Sequence, residues 1–153
     1  MKAIAAMDPH RVIGYKGKLP WPIIKGDLQF FKQKTMETKK IVMGRDTFRS
    51  VGALKDRFTY VLTTDHKLLE LPPFSAYRYV NMEFFNNDSF DDLWVCGGAK
   101  IYQLLLPRCD EVFITHIIDD YEGDTYMPTF EDHFTRSEIV REGRNHWIVR
   151  YWR

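Results

Sequence analysis

The stretch Trp94-Val95-Cys96-Gly97-Gly98-Ala99-Lys100-Ile101-Tyr102 decides the class of fold. Its first three residues are apolar without alternation, the pattern of a strand covered on both faces. Two glycines break that run, and Ala99–Leu106 then reads as a helix stopped by Pro107. Ile41-Val42-Met43-Gly44-Arg45-Asp46-Thr47 repeats the order: apolar strand, glycine, then a short helix over Thr47–Val51 with Asp46 or Thr47 as its natural cap. Outward from these two junctions, strands are predicted at Lys2–Met7, Lys40–Met43, Thr59–Thr63, Ala76–Val80, Leu93–Cys96, Glu111–Ile118, Phe134–Arg141 and His146–Trp152. An amphipathic helix is predicted over Leu28–Glu37 and a weaker helical piece over Asn81–Phe85. Glu142-Gly143-Arg144-Asn145 is a hairpin signal between the last two strands. Strand–helix alternation followed by an antiparallel pair predicts an α/β fold on a mixed sheet. Leu71-Pro72-Pro73-Phe74 reads as a stiff surface turn, and no repeat, linker or low-complexity tract divides the 153 residues. A single domain spanning 1–153 is expected.

Composition narrows the classes of function. Lys and Arg number 22 against 21 Asp and Glu, so no basic field points to nucleic acid. The apolar stretch at the N-terminus ends at Asp8-Pro9, too short for a signal peptide or a membrane span, and a cytoplasmic protein is expected. Cys96 and Cys109 form no CxxC pair and read as free thiols. Asn87-Asp88-Ser89 matches a glycosylation acceptor, which carries no meaning without secretion. His10, His66, His116, His133 and His146 show no ligand spacing, so no metal site is expected.

Chemistry can sit in several places. Asp27 heads the amphipathic helix just after Leu19-Pro20-Trp21-Pro22 and opens the stripe Leu28, Phe31, Thr35. An acid aimed into an apolar cleft is expensive unless a cation or a hydrogen bond meets it there, and such an acid holds or protonates a ligand. The same placement also fits an acid stabilising the first helical turn. At the two junctions, glycine admits a ligand to the backbone and the helix starts present N–H groups that favour phosphate. Each alone also fits a plain strand-to-helix turn. Together they suggest a ligand with more than one phosphate, such as a dinucleotide. Arg45 adds a planar fork suited to a terminal phosphate. Thr63 and Thr64 close a strand at the carboxyl edge of the sheet, where open α/β sheets bind ligands. Asp46 is repulsive beside a phosphate unless it points away, with His66 or Lys67 compensating. Arg57 reads as a surface group paired with Asp56, or as the partner of a carboxylated ligand. Glu122-Gly123-Asp124-Thr125 reads as a turn.

Together these segments resemble the dihydrofolate reductase family. Ile4-Ala5-Ala6-Met7 with Arg11-Val12-Ile13-Gly14 resembles its first strand and the start of its mobile loop. Leu19-Pro20-Trp21 and Asp27-Leu28-x-x-Phe31-Lys32-x-x-Thr35 resemble its central signature. Met43-Gly44-Arg45-x-Thr47-Phe48 and Cys96-Gly97-Gly98-Ala99-x-Ile101-Tyr102 resemble its two cofactor-binding helix starts. Thr115-His116-Ile117 and Glu122-Gly123-Asp124-Thr125 complete the series, in family order over nearly the whole chain.

The resemblance implies an eight-stranded, mostly parallel sheet with four helices and a C-terminal antiparallel hairpin. It also implies NADPH-dependent reduction of dihydrofolate to tetrahydrofolate, for one-carbon metabolism and thymidylate synthesis. By position, Asp27 would grip the 2-amino group and N3 side of the pterin, supported by Thr115, while Trp21 and the Ile13–Lys18 loop close over the site. Ala6, Leu28, Phe31, Val51 and Leu54 would line the substrate pocket beside Ala5. Ile4 and Cys96 would offer backbone carbonyls near the pterin, and Arg57 would pair with the glutamate tail. Ala6, Ile13 and Gly14 would face the nicotinamide. Gly44, Arg45, Asp46, Thr47, Thr63 and Thr64 would lie at the adenosine end. Cys96, Gly97, Gly98, Ala99, Lys100, Ile101 and Tyr102 would hold the pyrophosphate and a ribose, with Thr125 nearby. A cis peptide between Gly97 and Gly98 is implied, and Asp124 would bond the closed loop near Gly14. Antifolates would bind the pterin site of a monomer.

Two departures stand out. Lys55-Asp56 replaces the family's frequent Pro-Gly before Arg57, leaving the pose of that arginine to be decided by the fold. Asp46 stands where a neutral or basic residue would better suit a 2′-phosphate, so NADPH and NADH are expected to be less sharply distinguished. Two other functions fit less of the sequence. A non-catalytic folate- and nucleotide-binding structural protein would not need Asp27, Trp21, Arg57 and Thr115 together. A reductase of another pterin or a pyrimidine would not need Arg57.

Overall fold

A computed structural model describes residues 1–86 and 88–153; Asn87, which opens the acceptor-like triplet, lies outside them. Among the described residues the strands are β1 (Lys2–Met7), β2 (Val12–Gly14), β3 (Lys40–Gly44), β4 (Phe58–Leu62), β5 (Tyr77–Val80), β6 (Trp94–Val95), β7 (Glu111–Ile117), β8 (Thr125–Tyr126), β9 (Arg136–Glu142) and β10 (His146–Trp152). Eight of them form one sheet in the order β5-β4-β3-β6-β1-β7-β10-β9. The first six in that order run parallel, and β10 is antiparallel to both β7 and β9. The short β2 and β8 pair antiparallel outside the sheet. The eight-stranded mixed sheet with its C-terminal hairpin is the architecture the resemblance implies. The β2–β8 pair was not anticipated, because strands of two or three residues carry no readable period.

Alternation along the central strands explains why their apolar runs are continuous. Ile4, Ile41, Met43, Trp94 and Phe113 enter one core with Phe30. Their neighbours Ala3, Val42, Val95, Val112 and Ile114 enter the other, with Ile101, Tyr102 and Leu105. Side chains of a strand point alternately to opposite faces, and here both faces are covered.

Among the described residues four α-helices complete the layers: α1 (Lys25–Thr38), α2 (Arg45–Val51), α3 (His66–Leu69) and α4 (Ala99–Leu105). The α1 helix starts upstream of the expected Leu28, at an Ile24 N-cap that makes no side-chain bond, and buries Phe30 and Thr35. Leu28 remains 46% exposed, so the stripe opened by Asp27 runs from the surface at Leu28 to the buried Thr35. Gly44, not Asp46 or Thr47, is the N-cap of α2, because the helix begins directly where β3 ends. The weak helical piece expected over Asn81–Phe85 is a 3-10 turn over Met82–Phe85, and Asn81 caps it through Phe84 N at 3.3 Å. The fourth α-helix is instead α3, whose Asp65 cap accepts from Lys67 N at 3.0 Å.

Candidate active site

The α1 face of the sheet carries the acid. Phe113 points to that face, so Thr115, two residues on along β7, points there as well. Thr115 is buried, and its hydroxyl donates to Asp27 Oδ1 at 2.7 Å. Asp27 is therefore not spent on the helix start. Burial raises its carboxyl above the ordinary range, while the Thr115 hydrogen bond and the field of His146 act in the opposite direction. Around this pair, Phe31, Leu54 and Cys96 pack against the core that contains Ile4. Burial also pushes the Cys96 thiol up, so it stands there as a small neutral group. Trp21 is buried with Ile24 and Ile117, against Ala6 and edge-on to Tyr121 at 5.8 Å between ring centres.

The second half of the site lies where the strand order reverses, between β3, β6 and β1, the switch point at which open sheets take ligands. The two glycine junctions meet there: Gly44 N donates to Gly97 O at 2.9 Å. A Cβ on Gly44 would stand 2.8 Å from Ile101 Cγ1, and one on Gly98 would stand 3.2 Å from Thr47 Oγ1. Only glycine lets α2 and α4 start so close together. Neither start is capped by a side chain. The Gly97–Gly98 peptide is cis. A groove of about 980 Å³ runs over these starts. From the expected cofactor set it is lined by Ile13, Gly14, Gly44, Arg45, Asp46, Thr47, Thr63, Thr64, Gly98, Ala99, Lys100, Ile101 and Thr125, and from the substrate set by Val51. Its volume, its glycines at 14, 44 and 98 and the Arg45 guanidinium fit a dinucleotide. A hollow of about 540 Å³ near Lys40 and Asp92 lies at the amino edge of β3 and shares none of these groups.

The family model described as dihydrofolate reductase matches residues 1–147. The chain belongs to the dihydrofolate reductase family. A dihydrofolate reductase of Mycoplasma pneumoniae is 33% identical over 150 residues, covering 93% of this chain and 89% of the relative. One of Enterococcus faecium is 34% identical over 140 residues, covering 90% and 81%. The solved dihydrofolate reductase of Enterococcus faecalis, complexed with NADP(H) and RAB-propyl, superposes with a TM-score of 0.80 at 32% identity, covering 99% of this chain and 95% of that one.

Some expected residues stand elsewhere than the groove. Tyr102 is buried and gives its hydroxyl to Ile4 O at 2.7 Å. Its ring thus braces the first strand from beneath the start of α4, and the Ile4 carbonyl keeps one lone pair free. Gly97 is buried, with its carbonyl turned to Gly44, and Cys96 lies under the same junction. Arg57 does not pair with Asp56. Its Nη1 donates to Thr35 Oγ1 and its Nε to Lys55 O, each at 3.0 Å. Asp56, at φ 64°, makes a left-handed turn just before Arg57. Asp46 is compensated by Arg45 at 3.6 Å and Arg49 at 3.8 Å, not by His66 or Lys67. Arg45 also faces Asp65 at 3.6 Å, so its charge is already shared between two acids.

Loop contacts shape the entrance. Asp124 accepts from Lys16 N at 3.0 Å, and its own N–H donates to Gly14 O at 3.0 Å, the contact expected of it. Buried Asp8 accepts from Val12 N at 2.8 Å and from Tyr121 N at 3.0 Å, tying the two loops behind Trp21. Asp8, Thr35 and His146 were missed as functional residues, as were Asn81, Met82 and Glu83, which line the groove. The signal for the last three was their place just past the carboxyl end of a strand. Among the described residues no group of three or more His, Cys, Asp or Glu could hold a metal, and no helix is long and apolar enough to cross a membrane.

Proposed function

We infer that the acid pocket and the groove serve one reaction, the NADPH-dependent reduction of 7,8-dihydrofolate to 5,6,7,8-tetrahydrofolate. The enzyme is an oxidoreductase whose product feeds one-carbon metabolism and thymidylate synthesis. The observation that carries the reading is the Asp27–Thr115 pair, a carboxyl group raised by burial whose field reaches Tyr102 of α4, the helix that starts in the groove. NADPH, when bound, supplies the hydride taken up at pterin C6. Asp27 grips the 2-amino group and N3 side in a charge-assisted pair, and Thr115 holds that carboxylate in place. The carboxylate's field raises the basicity of N5, which takes its proton from water. Trp21 and the 13–18 loop, held by Asp124 and Asp8, exclude the remaining solvent. Arg57, pre-set by Thr35, meets the carboxylate of the substrate tail. Heterocycles that imitate the 2-aminopterin compete for the same acid.

Two free cysteines, with Cys109 pushed up to about 12 by burial, support a reducing, cytoplasmic setting. The test follows NADPH oxidation by absorbance, with and without dihydrofolate, in the wild type and in Asp27→Asn. Oxidation should require dihydrofolate and fall roughly 10²- to 10³-fold in the variant at neutral pH, the range for losing one electrostatic stabiliser. An undiminished rate removes Asp27 from this role; no oxidation by the wild type favours a non-catalytic binding protein.

A further inference from the structure

His146 opens β10 and is only 7% exposed. Its ring lies between two glycines from different elements. A Cβ on Gly26 would stand 2.9 Å from both Cε1 and Nε2 of the ring, and a Cβ on Gly143 would overlap the ring outright. Gly26 directly precedes Asp27 in the first turn of α1, so the imidazole is packed against the turn that carries the acid. Nδ1 lies 3.1 Å from Asn145 Oδ1, and Nε2 is the nitrogen against Gly26. Packing alone needs a flat ring between the glycines, which phenylalanine would supply. What histidine adds is a ring whose field reaches the Asp27 carboxyl.

We propose that His146 is a positioning residue for Asp27: its ring wedges the first turn of α1, and its protonated form favours the ionised carboxylate that meets the pterin. The inference rests on the role given to Asp27 above. The field of His146 acts on that carboxyl against the effect of burial. From the other elements around the pair come the Thr115 hydroxyl of β7 and Tyr102 of α4, whose hydroxyl is committed to Ile4. Lys25 on α1 and Glu142 and Arg144 beside the turn are exposed, where solvent and salt screen them.

The test uses the ligand-free full chain with isotope-labelled aspartate carboxyl carbons followed by NMR across pH. The Asp27 signal is the one missing from Asp27→Asn. His146→Gln and His146→Phe remove the titrating charge and should both displace the Asp27 midpoint to higher pH; midpoints equal to wild type overturn the proposal. Should neither variant fold, the His146 Cε1 proton is followed in the wild type and in Asp27→Asn. A second inflection at the Asp27 midpoint, absent from Asp27→Asn, upholds the coupling, and identical curves overturn it. No turnover is measured, so a failure of the Asp27 assignment itself shows in the NADPH assay and not in these spectra.

Discussion

Replacing Thr115 by valine isolates the hydrogen bond on which the acid pocket depends. Valine keeps the branched shape at a position that is 1% exposed, so the sheet loses a donor and little packing. The lost bond is a 2.7 Å contact from a hydroxyl to a carboxylate. Hydrogen bonds to charged groups contribute about 1.5–3 kcal/mol, which converts to roughly a 10- to 150-fold weaker hold on a cationic 2-aminopyrimidine at neutral pH. The sign of the pH effect follows from the same bond. Thr115 stabilises the ionised form of Asp27, so its removal moves the carboxyl further upward. The assay is a calorimetric titration of Thr115→Val and wild type with one such inhibitor across pH, beside kcat/KM for dihydrofolate. A loss below about threefold, with an unchanged pH dependence, would refute the assignment of Thr115 as the donor that holds the catalytic acid.

Other outcomes follow from the same geometry. Arg45 already faces Asp46 and Asp65, so the kcat/KM ratio of NADPH to NADH should stay below about 10³, near 4 kcal/mol, and a larger ratio sinks this reading. Asp46→Ala should raise that ratio about two- to fivefold, the scale of an exposed charge pair, measured by initial rates with both cofactors. Asp27→Asn should raise the Tm of the ligand-free chain at neutral pH. Because burial lifts the folded-state pKa of Asp27, its stabilising protonated state is complete below the unfolded value and is lost as pH rises through the folded one. The Tm gain should therefore vanish in acid, and scanning calorimetry at several pH values checks it.

Much of the candidate site was legible because it is written locally. Gly44 and Gly97-Gly98 break apolar runs at strand ends, and the two places become one only because β6 inserts between β3 and β1. Asp27 was legible as an acid at the head of an amphipathic helix, but whether it stabilised that helix or faced a ligand depended on a residue 88 positions away, Thr115. Tyr102 belonged to a cofactor motif, yet its ring points to the opposite core. The motif's spacing did not show that this ring also braces the strand beside it through Ile4. Asp8 and His146 carried no local signal: an acid before Pro9 and a histidine after a hairpin turn are ordinary in loops.

What the chain alone determined is the alternation of continuous apolar strands with glycine-started helices, since side-chain period and backbone freedom act over a few residues. What only the folded molecule decided is which charges meet. Arg57 was given to Thr35 in place of Asp56, Arg45 was divided between Asp46 and Asp65, and His146 was set against the turn of Asp27. Those pairings depend on distances across the sheet, and electrostatic effects are settled by distance and burial that no linear pattern contains.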